Sequence, residues 1–228
     1  MSLDERVEVS FSVEILVAIF RGTSKCALAF LLTLGISPNG SHAGEWGENW
    51  GTLVWGASAS CSAGPNLSSL STEEQVQLVY VGLLSRAADS PGLNYWIDDI
   101  NSGFTIEKLR ENIVLFQTEY LEDLGTLLRP DLVPRLYQNL FTRSPDDAGE
   151  AYWVSGDGAT VAADRLVLAL INGAGCTDRK TLTNKAEAAS YYTNNYQTYN
   201  KTHAINAVKD VDSTDASLAA AKAYVDSI

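Results

Sequence analysis

The chain has 228 residues, enough for one or two domains, and 46% of them are apolar, which excludes a disordered tail. It carries 16 Lys and Arg against 28 Asp and Glu, and this net charge of −12 argues against binding to nucleic acid. With only two His and three Cys, the composition also disfavours zinc enzymes and most histidine-based catalysis.

The N-terminal region has the three parts of a secretory signal peptide. Arg21 and Lys25 precede an apolar run over residues 26–36, and the small residues Ser41 and Ala43 follow it. The run is shorter than the roughly 20 residues that span a bilayer. We therefore expect residues 1–43 to be a prefix and signal peptide, and the exported chain to have no membrane span. A buried helix is the alternative, and the long acidic prefix leaves the translation start open.

Cleavage after Ala43 would remove Cys26 and leave Cys61 and Cys176. An exported chain can oxidise such a pair, and two cysteines permit a single connectivity. The sequence therefore predicts a Cys61–Cys176 disulfide, with two free thiols as the alternative. The remaining chain keeps 13 basic and 24 acidic residues, so its acidity would favour solubility.

Residues 44–70 form a tryptophan-rich leader and a flexible linker. The leader holds three of the five tryptophans, Trp46, Trp50 and Trp55, and residues 57–66 are mostly small. The three indoles either pack against the domain that follows or form an aromatic binding surface.

Helical signals dominate from residue 71 onward. Ser71 and Glu74 form a capping box, and apolar residues at helical spacing follow from Val76 to Leu84. Ser90 is predicted to cap a second helix. Apolar residues after Thr105 define one face of a third helix, namely Ile106, Leu109, Ile113 and Phe116.

Two later segments are also expected to be helical, residues 178–197 and a last helix from about Ser213 or Thr214 to the end. No window alternates with the period of a strand. The sequence therefore predicts a compact all-α domain over residues 71–228.

An internal repeat is the most specific signal in the chain. Residues 76–97 and 133–154, 57 positions apart, are identical at eight of 22 positions without a gap. The period exceeds the roughly 20–50 residues of solenoid arrays, and there are two copies. We therefore expect two three-helix units in one domain.

The two copies share the pattern Arg-x-x-Asp-x-x-Gly-x-x-Tyr-Trp. The arginine is expected at a helix end near the loop aspartate, and Ser90 and Asp147 are expected to cap the next helix. The glycine would permit close backbone approach, and the tryptophan would anchor the core. The motif residues are Arg86, Asp89, Gly92, Tyr95 and Trp96 in the first copy and Arg143, Asp146, Gly149, Tyr152 and Trp153 in the second.

This motif, preceded by a helix rich in Leu and Tyr, resembles the bacterial family named domain of unknown function 4214. The resemblance covers roughly residues 70–228 and is closer for the second copy, residues 136–153. In the first copy Ala88 stands where the family usually has proline. The resemblance implies an all-α fold, similar to the helical domain of phycobilisome linker polypeptides, in an exported bacterial protein. It implies no catalytic residue.

Clusters of acidic residues are the remaining candidates for chemistry. Asp146, Asp147 and Glu150 lack the spacing of a calcium loop. The adjacent pairs at 98–99 and 122–123 diverge around a helix, so we expect solvated faces there and no glycosidase pair. His203 has no cysteine or second histidine near it in sequence and is expected to face solvent.

Together these features predict an exported, non-enzymatic structural or interaction module at the bacterial cell surface or in the periplasm. Its partner would be a protein or a glycan, and we expect no metal or cofactor. The alternative is a hydrolase of extracellular polymers whose carboxylates the sequence does not single out.

Overall fold

A computed structural model describes residues 67–196 and 198–228, and within them all regular structure is helical. The all-α prediction is confirmed for this part of the chain. Ten α-helices lie there: α1 Thr72–Leu84, α2 Ser90–Asn101, α3 Ile106–Phe116, α4 Thr118–Glu122, α5 Arg129–Phe141, α6 Asp147–Val154, α7 Leu166–Gly173, α8 Cys176–Asn195, α9 Lys201–Asn206 and α10 Asp215–Asp226. Short 3-10 helices lie at Leu67–Ser69, Leu124–Thr126, Asp157–Thr160 and Ala163–Arg165.

The starts of α1, α2 and α6 depend on side-chain caps. Ser71 and Glu74 form the expected capping box at α1. The predicted caps of α2 and α6 were wrong by one residue, because Asp89 and Asp146 are extended and accept the N–H groups of Gly92 and Gly149. Ser90 and Asp147 are instead the first helical residues. A carboxylate there accepts a free amide and also favours the positive end of the helix dipole.

The later helix boundaries lie near the predicted ones, with one misplaced side chain. Leu109 and Ile113 are buried, whereas Phe116, expected on the same face, is 70% exposed. Phe116 is the last residue of α3, and the extended backbone of Gln117 ends the helix there. Helix α9 lies between the two predicted helices, and α10 follows the cap Thr214.

Helix α1 occupies the centre of the described structure. Every residue from Val76 to Leu84 is buried, and α1 packs against α2, α3, α5, α7 and α8. Gly82 lets α7 approach closely, because a Cβ there would lie 2.5 Å from Val167 Cγ2. The two copies meet at equivalent positions, since Asn139 Nδ2 donates to the carbonyl of Gly82 over 2.9 Å. The repeat therefore forms one core in which the first helices of both copies contact each other.

The C-terminal helices α9 and α10 are held against α8 by buried polar side chains. Lys185 is 1% exposed and its Nζ donates to the Val208 carbonyl over 2.7 Å. Asn184 Nδ2 donates to the carbonyls of Asp212 and Thr214. Among the described helices, none combines the length and apolarity that crossing a membrane requires.

Candidate functional site

Each copy of the repeated motif builds the same local arrangement around a tyrosine of its first helix. Tyr80 of α1 lies close to the Trp96 side chain, and Tyr137 of α5 lies close to that of Trp153. The guanidinium of Arg86 lies 5.4 Å from the Tyr80 ring centre, and the Arg143 guanidinium lies 5.2 Å from the Tyr137 ring centre. The motif thus gathers a ring, a cation and an indole at the turn between two helices.

The motif glycines make room for the tyrosine hydroxyl. A Cβ on Gly92 would lie 2.8 Å from the Tyr80 hydroxyl oxygen, and one on Gly149 would lie 3.2 Å from that of Tyr137. Real Cβ atoms are essentially never found as close as the first of these distances. The motif glycine in the first turn of α2 and of α6 therefore lets the tyrosine hydroxyl lie close to the helix backbone.

The first copy is closed over its arginine. Arg86 Nε donates to Glu119 Oε2 over 2.8 Å, and the ring centre of Tyr199 lies 5.2 Å from the guanidinium. Lys201 reaches the other oxygen of Glu119 at 2.6 Å. As a result the Arg86 side chain is only 8% exposed. A nearly buried cation is stable there because its charge is paired and hydrogen-bonded.

Burial and charge shift the pKa values in this closed site. Burial raises the pKa of Tyr80 to about 12 and that of Tyr199 to about 12, so both phenols stay neutral at ordinary pH. Burial alone would raise the pKa of Glu119, but hydrogen bonds from Lys201 and Arg86 hold it below its usual range. The site is therefore a neutralised ion cluster at neutral pH.

The second copy is open over its arginine. Arg143 makes two parallel bonds to Asp178 in the first turn of α8, with Nε to Oδ1 at 2.9 Å and Nη2 to Oδ2 at 2.7 Å. The hydrogen bond to Asp178 raises the pKa of Arg143. The Arg143 side chain is nonetheless 42% exposed, against 8% for Arg86. The two copies share their frame and differ in what covers the guanidinium.

The acidic partners of the motif were missed at the sequence level. Glu119 follows Arg86 by 33 residues and Asp178 follows Arg143 by 35, each near the start of the helix that comes after the third helix of its copy. An acid at similar spacing in both copies was an available signal. Both acids lie beyond the 22 residues compared in each copy. Each copy therefore uses a fourth helix, α4 or α8, to supply the acid that pairs with its arginine.

Ala88 in the first copy takes part in a buried hydrogen-bond network that proline could not make. Its N–H donates to Gln77 Oε1, and its carbonyl accepts from the Thr193 hydroxyl. Gln77 Nε2 also donates to Thr193 Oγ1, so the three residues connect α1, the motif turn and α8. The second copy has Pro145 at the equivalent position. The departure from the family pattern thus has a local structural cause.

The motif tyrosines beside the tryptophans lie toward the surface. Tyr95 meets Trp96 edge-on at 5.1 Å, and Tyr152 meets Trp153 edge-on at 4.9 Å. Tyr95 is 58% exposed, whereas Trp96 is buried. A hydrogen bond to Asp99 raises the pKa of Tyr95. Trp96 is a core anchor, whereas Trp153 is partly buried and packs against the same core.

His203 was expected to face solvent, and that expectation was wrong. Its Nδ1 lies 2.6 Å from the Tyr224 hydroxyl, and its ring lies beside Tyr196 at 5.4 Å. The Tyr224 hydroxyl also accepts from Asn206. A cavity of about 330 Å³ between α9 and α10 borders this group, and Tyr224 and Asn206 are among its lining residues. His203 packs against tyrosines that are distant in sequence, so the local sequence pattern does not reveal its position.

Two of the acidic residues considered for catalysis or metal binding have structural partners. Asp146 caps α6, and Asp123 pairs with Arg135 at 2.9 Å. Within residues 67–196 and 198–228, no three His, Cys, Asp or Glu side chains converge on a common metal position. The geometry assigns Asp146 to a helix cap and Asp123 to an ion pair.

Several predicted features lie outside the described residues: the signal segment 1–43, the leader tryptophans Trp46, Trp50 and Trp55, and Cys61. Cys176, the first residue of α8, is disulfide-bonded. The other two cysteines of the sequence are Cys26 and Cys61, and pairing with Cys61 stays a prediction.

Comparison with known families places one segment of the chain. Residues 58–116 match the family described as Domain of unknown function (DUF4214), the family that the repeated motif resembles. The match covers the first copy of the repeat, although the resemblance had looked closer for the second. No curated protein and no solved structure matches the chain.

Proposed function

We propose that this protein is an exported, non-enzymatic interaction module of the bacterial cell surface or periplasm. The observation that supports this most is the state of the repeated motif, where Arg86 and Arg143 are each satisfied by an acid of the same fold. A polar group that is already paired inside the fold stabilises structure and has little capacity left for a substrate. We also propose that its fold is similar to the helical domain of phycobilisome linker polypeptides.

Exposed apolar side chains from the last turn of α3 to the residue before α5 supply a contact surface for a partner. Leu115, Phe116, Leu121 and Leu128 are 54%, 70%, 47% and 75% exposed within one short stretch. The positions equivalent to Leu115 and Phe116 in the second copy are Asn172 and Gly173, also exposed. The fold therefore does not require apolar residues there. Aromatic and aliphatic residues of this kind anchor protein interfaces.

Fractionation of the native host tests export directly. The tagged full chain should be recovered from the periplasm or envelope, with an N-terminus at residue 44. Recovery from the cytosol with residues 1–43 intact would contradict the proposal.

Affinity capture from the envelope fraction tests the contact surface. The Leu115→Ser, Phe116→Ser double variant should recover the partner at least about tenfold less well, since interface anchors often contribute 1–2 kcal/mol each. Ile228→Ser, which changes a 39% exposed residue at the other end of the chain, is the matched control and should capture normally. Thermal unfolding checks that both variants fold. Equal capture by both variants, or release of soluble fragments from envelope polymers by the pure protein, would contradict the proposal.

A further inference from the structure

The cavity between α9 and α10 has the size of a pocket for one small ligand. Its volume of about 330 Å³ lies at the lower end of the roughly 300–1,000 Å³ that ligand pockets occupy. Val211, Ala220 and Ala221 form its apolar part, and Tyr224 adds an aromatic ring that carries a hydroxyl group. A ligand that fits there must therefore present an apolar face to this side of the cavity.

Both sides of the cavity are held in place by buried polar side chains of α8. Lys185 Nζ donates to the Val208 carbonyl over 2.7 Å, in the turn that carries the cavity residues after α9. Asn184 Nδ2 donates to the carbonyls of Asp212 and Thr214 just before α10, over 2.8 and 3.1 Å. Losing either contact would leave a buried polar group unpaired, which is costly. The cavity is therefore pre-formed, and a ligand would not have to order it.

Three polar side chains at the cavity keep bonding capacity that the described residues do not use. Asn206 Nδ2 donates to the Tyr224 hydroxyl over 3.2 Å, which leaves the amide oxygen of Asn206 available. The Lys209 ammonium lies 3.9 Å from the Asp210 carboxylate, which is beyond hydrogen-bond distance. The two charged side chains are 52% and 85% exposed, so a ligand can reach both. The motif arginines differ, because their charges are paired within the fold.

A neutral sugar ring is the ligand chemistry that matches this lining. A pyranose has an apolar C–H face and a rim of hydroxyl groups, each of which can donate and accept hydrogen bonds. The ring of Tyr224 and the two alanines suit the apolar face. The free groups of Asn206, Lys209 and Asp210 suit the hydroxyls. Because Lys209 and Asp210 carry opposite charges, the pair favours neither an anion nor a cation.

We propose that this cavity binds a neutral monosaccharide, with Tyr224 against the sugar face and Asn206 and Asp210 on its hydroxyls. His203 Nδ1 lies 2.6 Å from the Tyr224 hydroxyl and fixes the position of the ring. The cavity shares no residue with the apolar stretch at residues 115–128, so the inference does not depend on the proposed function.

Nuclear magnetic resonance of the full, isotope-labelled chain tests binding with D-glucose, D-galactose, D-mannose and N-acetyl-D-glucosamine. At least one of these sugars should shift the amide resonances of residues 206–211 and 217–224. The expected Kd is on the order of 1 mM, because one small ligand makes few contacts. L-alanine, a zwitterion, should leave the same resonances in place. No shift with any of the four sugars, or a shift of these amides with L-alanine, would overturn the proposal.

Two consecutive alanines of α10 show whether the sugar lies in the cavity. Ala220→Leu extends a side chain into the cavity and should weaken sugar binding at least about tenfold. Ala219→Leu is the matched control, because Ala219 lies outside the lining, and it should bind as the wild type does. Both positions are exposed, so both variants should fold, which circular dichroism checks. Equal sugar affinity in the two variants would overturn the location.

The Asp210 carboxylate is tested by a change that removes its charge and keeps its shape. Asp210→Asn should weaken sugar binding about fivefold, because hydrogen bonds to a carboxylate are stronger than those to an amide. Asp215→Asn, at an 88% exposed side chain at the start of α10, is the matched control and should bind normally. Unchanged affinity in Asp210→Asn would overturn the role of this carboxylate.

Discussion

Arg86 and Arg143 occupy equivalent positions in the repeat, yet their surroundings make them energetically different. Arg86 is nearly buried among Glu119, Tyr80 and Tyr199, whereas Arg143 pairs with Asp178 and its side chain remains 42% exposed. A buried pair is costly to break because the remaining charge loses its partner, while an exposed pair contributes little. The same motif residue therefore has a large structural role in one copy and a small one in the other.

Substitution of each arginine by methionine measures this difference. We expect Arg86→Met to lower the free energy of unfolding by on the order of 3 kcal/mol, because Glu119 stays half-buried with Lys201 as its remaining partner. Arg143→Met should cost about 1 kcal/mol or less. Urea unfolding followed by circular dichroism gives both values. Equal losses in the two variants would show that burial does not separate the two sites.

Lys185 makes the stability of the fold depend on pH. Burial lowers its pKa to about 7 from an ordinary value of 10.5, although Asp210 and Asp212 oppose the shift. Between these values the unfolded chain binds the proton and the folded chain does not, so stability rises with pH through this window. The increase should approach 1.4 kcal/mol per pH unit.

Urea titrations at pH 7, 8 and 9 check this expectation, below the range where the tyrosines titrate. In Lys185→Met the rise between pH 7 and 9 should disappear, because the buried group no longer titrates. Lys209→Met, at a half-exposed lysine, should keep the slope of the wild type. A wild-type slope that persists in Lys185→Met would contradict the burial argument.

At the scale of elements, α2 and α6 are capped by Asp89 and Asp146, each one residue before the expected cap. Asp89→Ala and Asp146→Ala should each destabilise the protein by about 1 kcal/mol, since each removes a carboxylate that accepts a free helix amide. Ser90→Ala, at the first helical residue, should change stability by less than about 0.5 kcal/mol. Thermal unfolding distinguishes the two assignments. A larger loss in Ser90→Ala than in Asp89→Ala would restore the serine as the cap.

The contact of α1 with α5 and α7 depends on a glycine. A Cβ on Gly82 would lie 2.5 Å from Val167 Cγ2 and 3.1 Å from Leu140 Cδ2, both in the closely packed core. We expect Gly82→Ala to cost about 1–3 kcal/mol through overpacking. Gly173→Ala is the matched control, since its nearest side-chain atom is 4.0 Å from the added Cβ, and it should be neutral or slightly stabilising. Chemical denaturation of both variants measures the difference, and a neutral Gly82→Ala would contradict close packing there.

At the scale of the whole molecule, Cys176 at the start of α8 is disulfide-bonded, and its pairing with Cys61 is a prediction. Non-reducing peptide mapping of the protein should find one linked pair, Cys61 with Cys176. Reduction should lower the free energy of unfolding by about 2–4 kcal/mol, because a long loop is released in the unfolded chain. A Cys61→Ser variant should behave like the reduced protein. Two free thiols in the secreted chain would contradict this pairing.

Much of the helical layout follows from local sequence patterns. The capping box at Ser71 and the apolar spacing along α1 act within one or two turns, so they can be recognised without a fold. The repeat is visible for the same reason, since equal local structure needs equal residues at equal spacing. Phe116 shows the limit, because helical spacing places a residue on a face but does not say where the core ends.

The sequence alone determined the helical class, the repeat and the family that residues 58–116 match, since these depend on spacing along the chain. Only the tertiary structure decided that Glu119 and Asp178 bind the motif arginines, that Tyr199 covers one of them, and that Lys185 is buried. These contacts join residues 23 to 113 positions apart. Their strength depends on burial and on the direction of each side chain, which the order of residues does not specify.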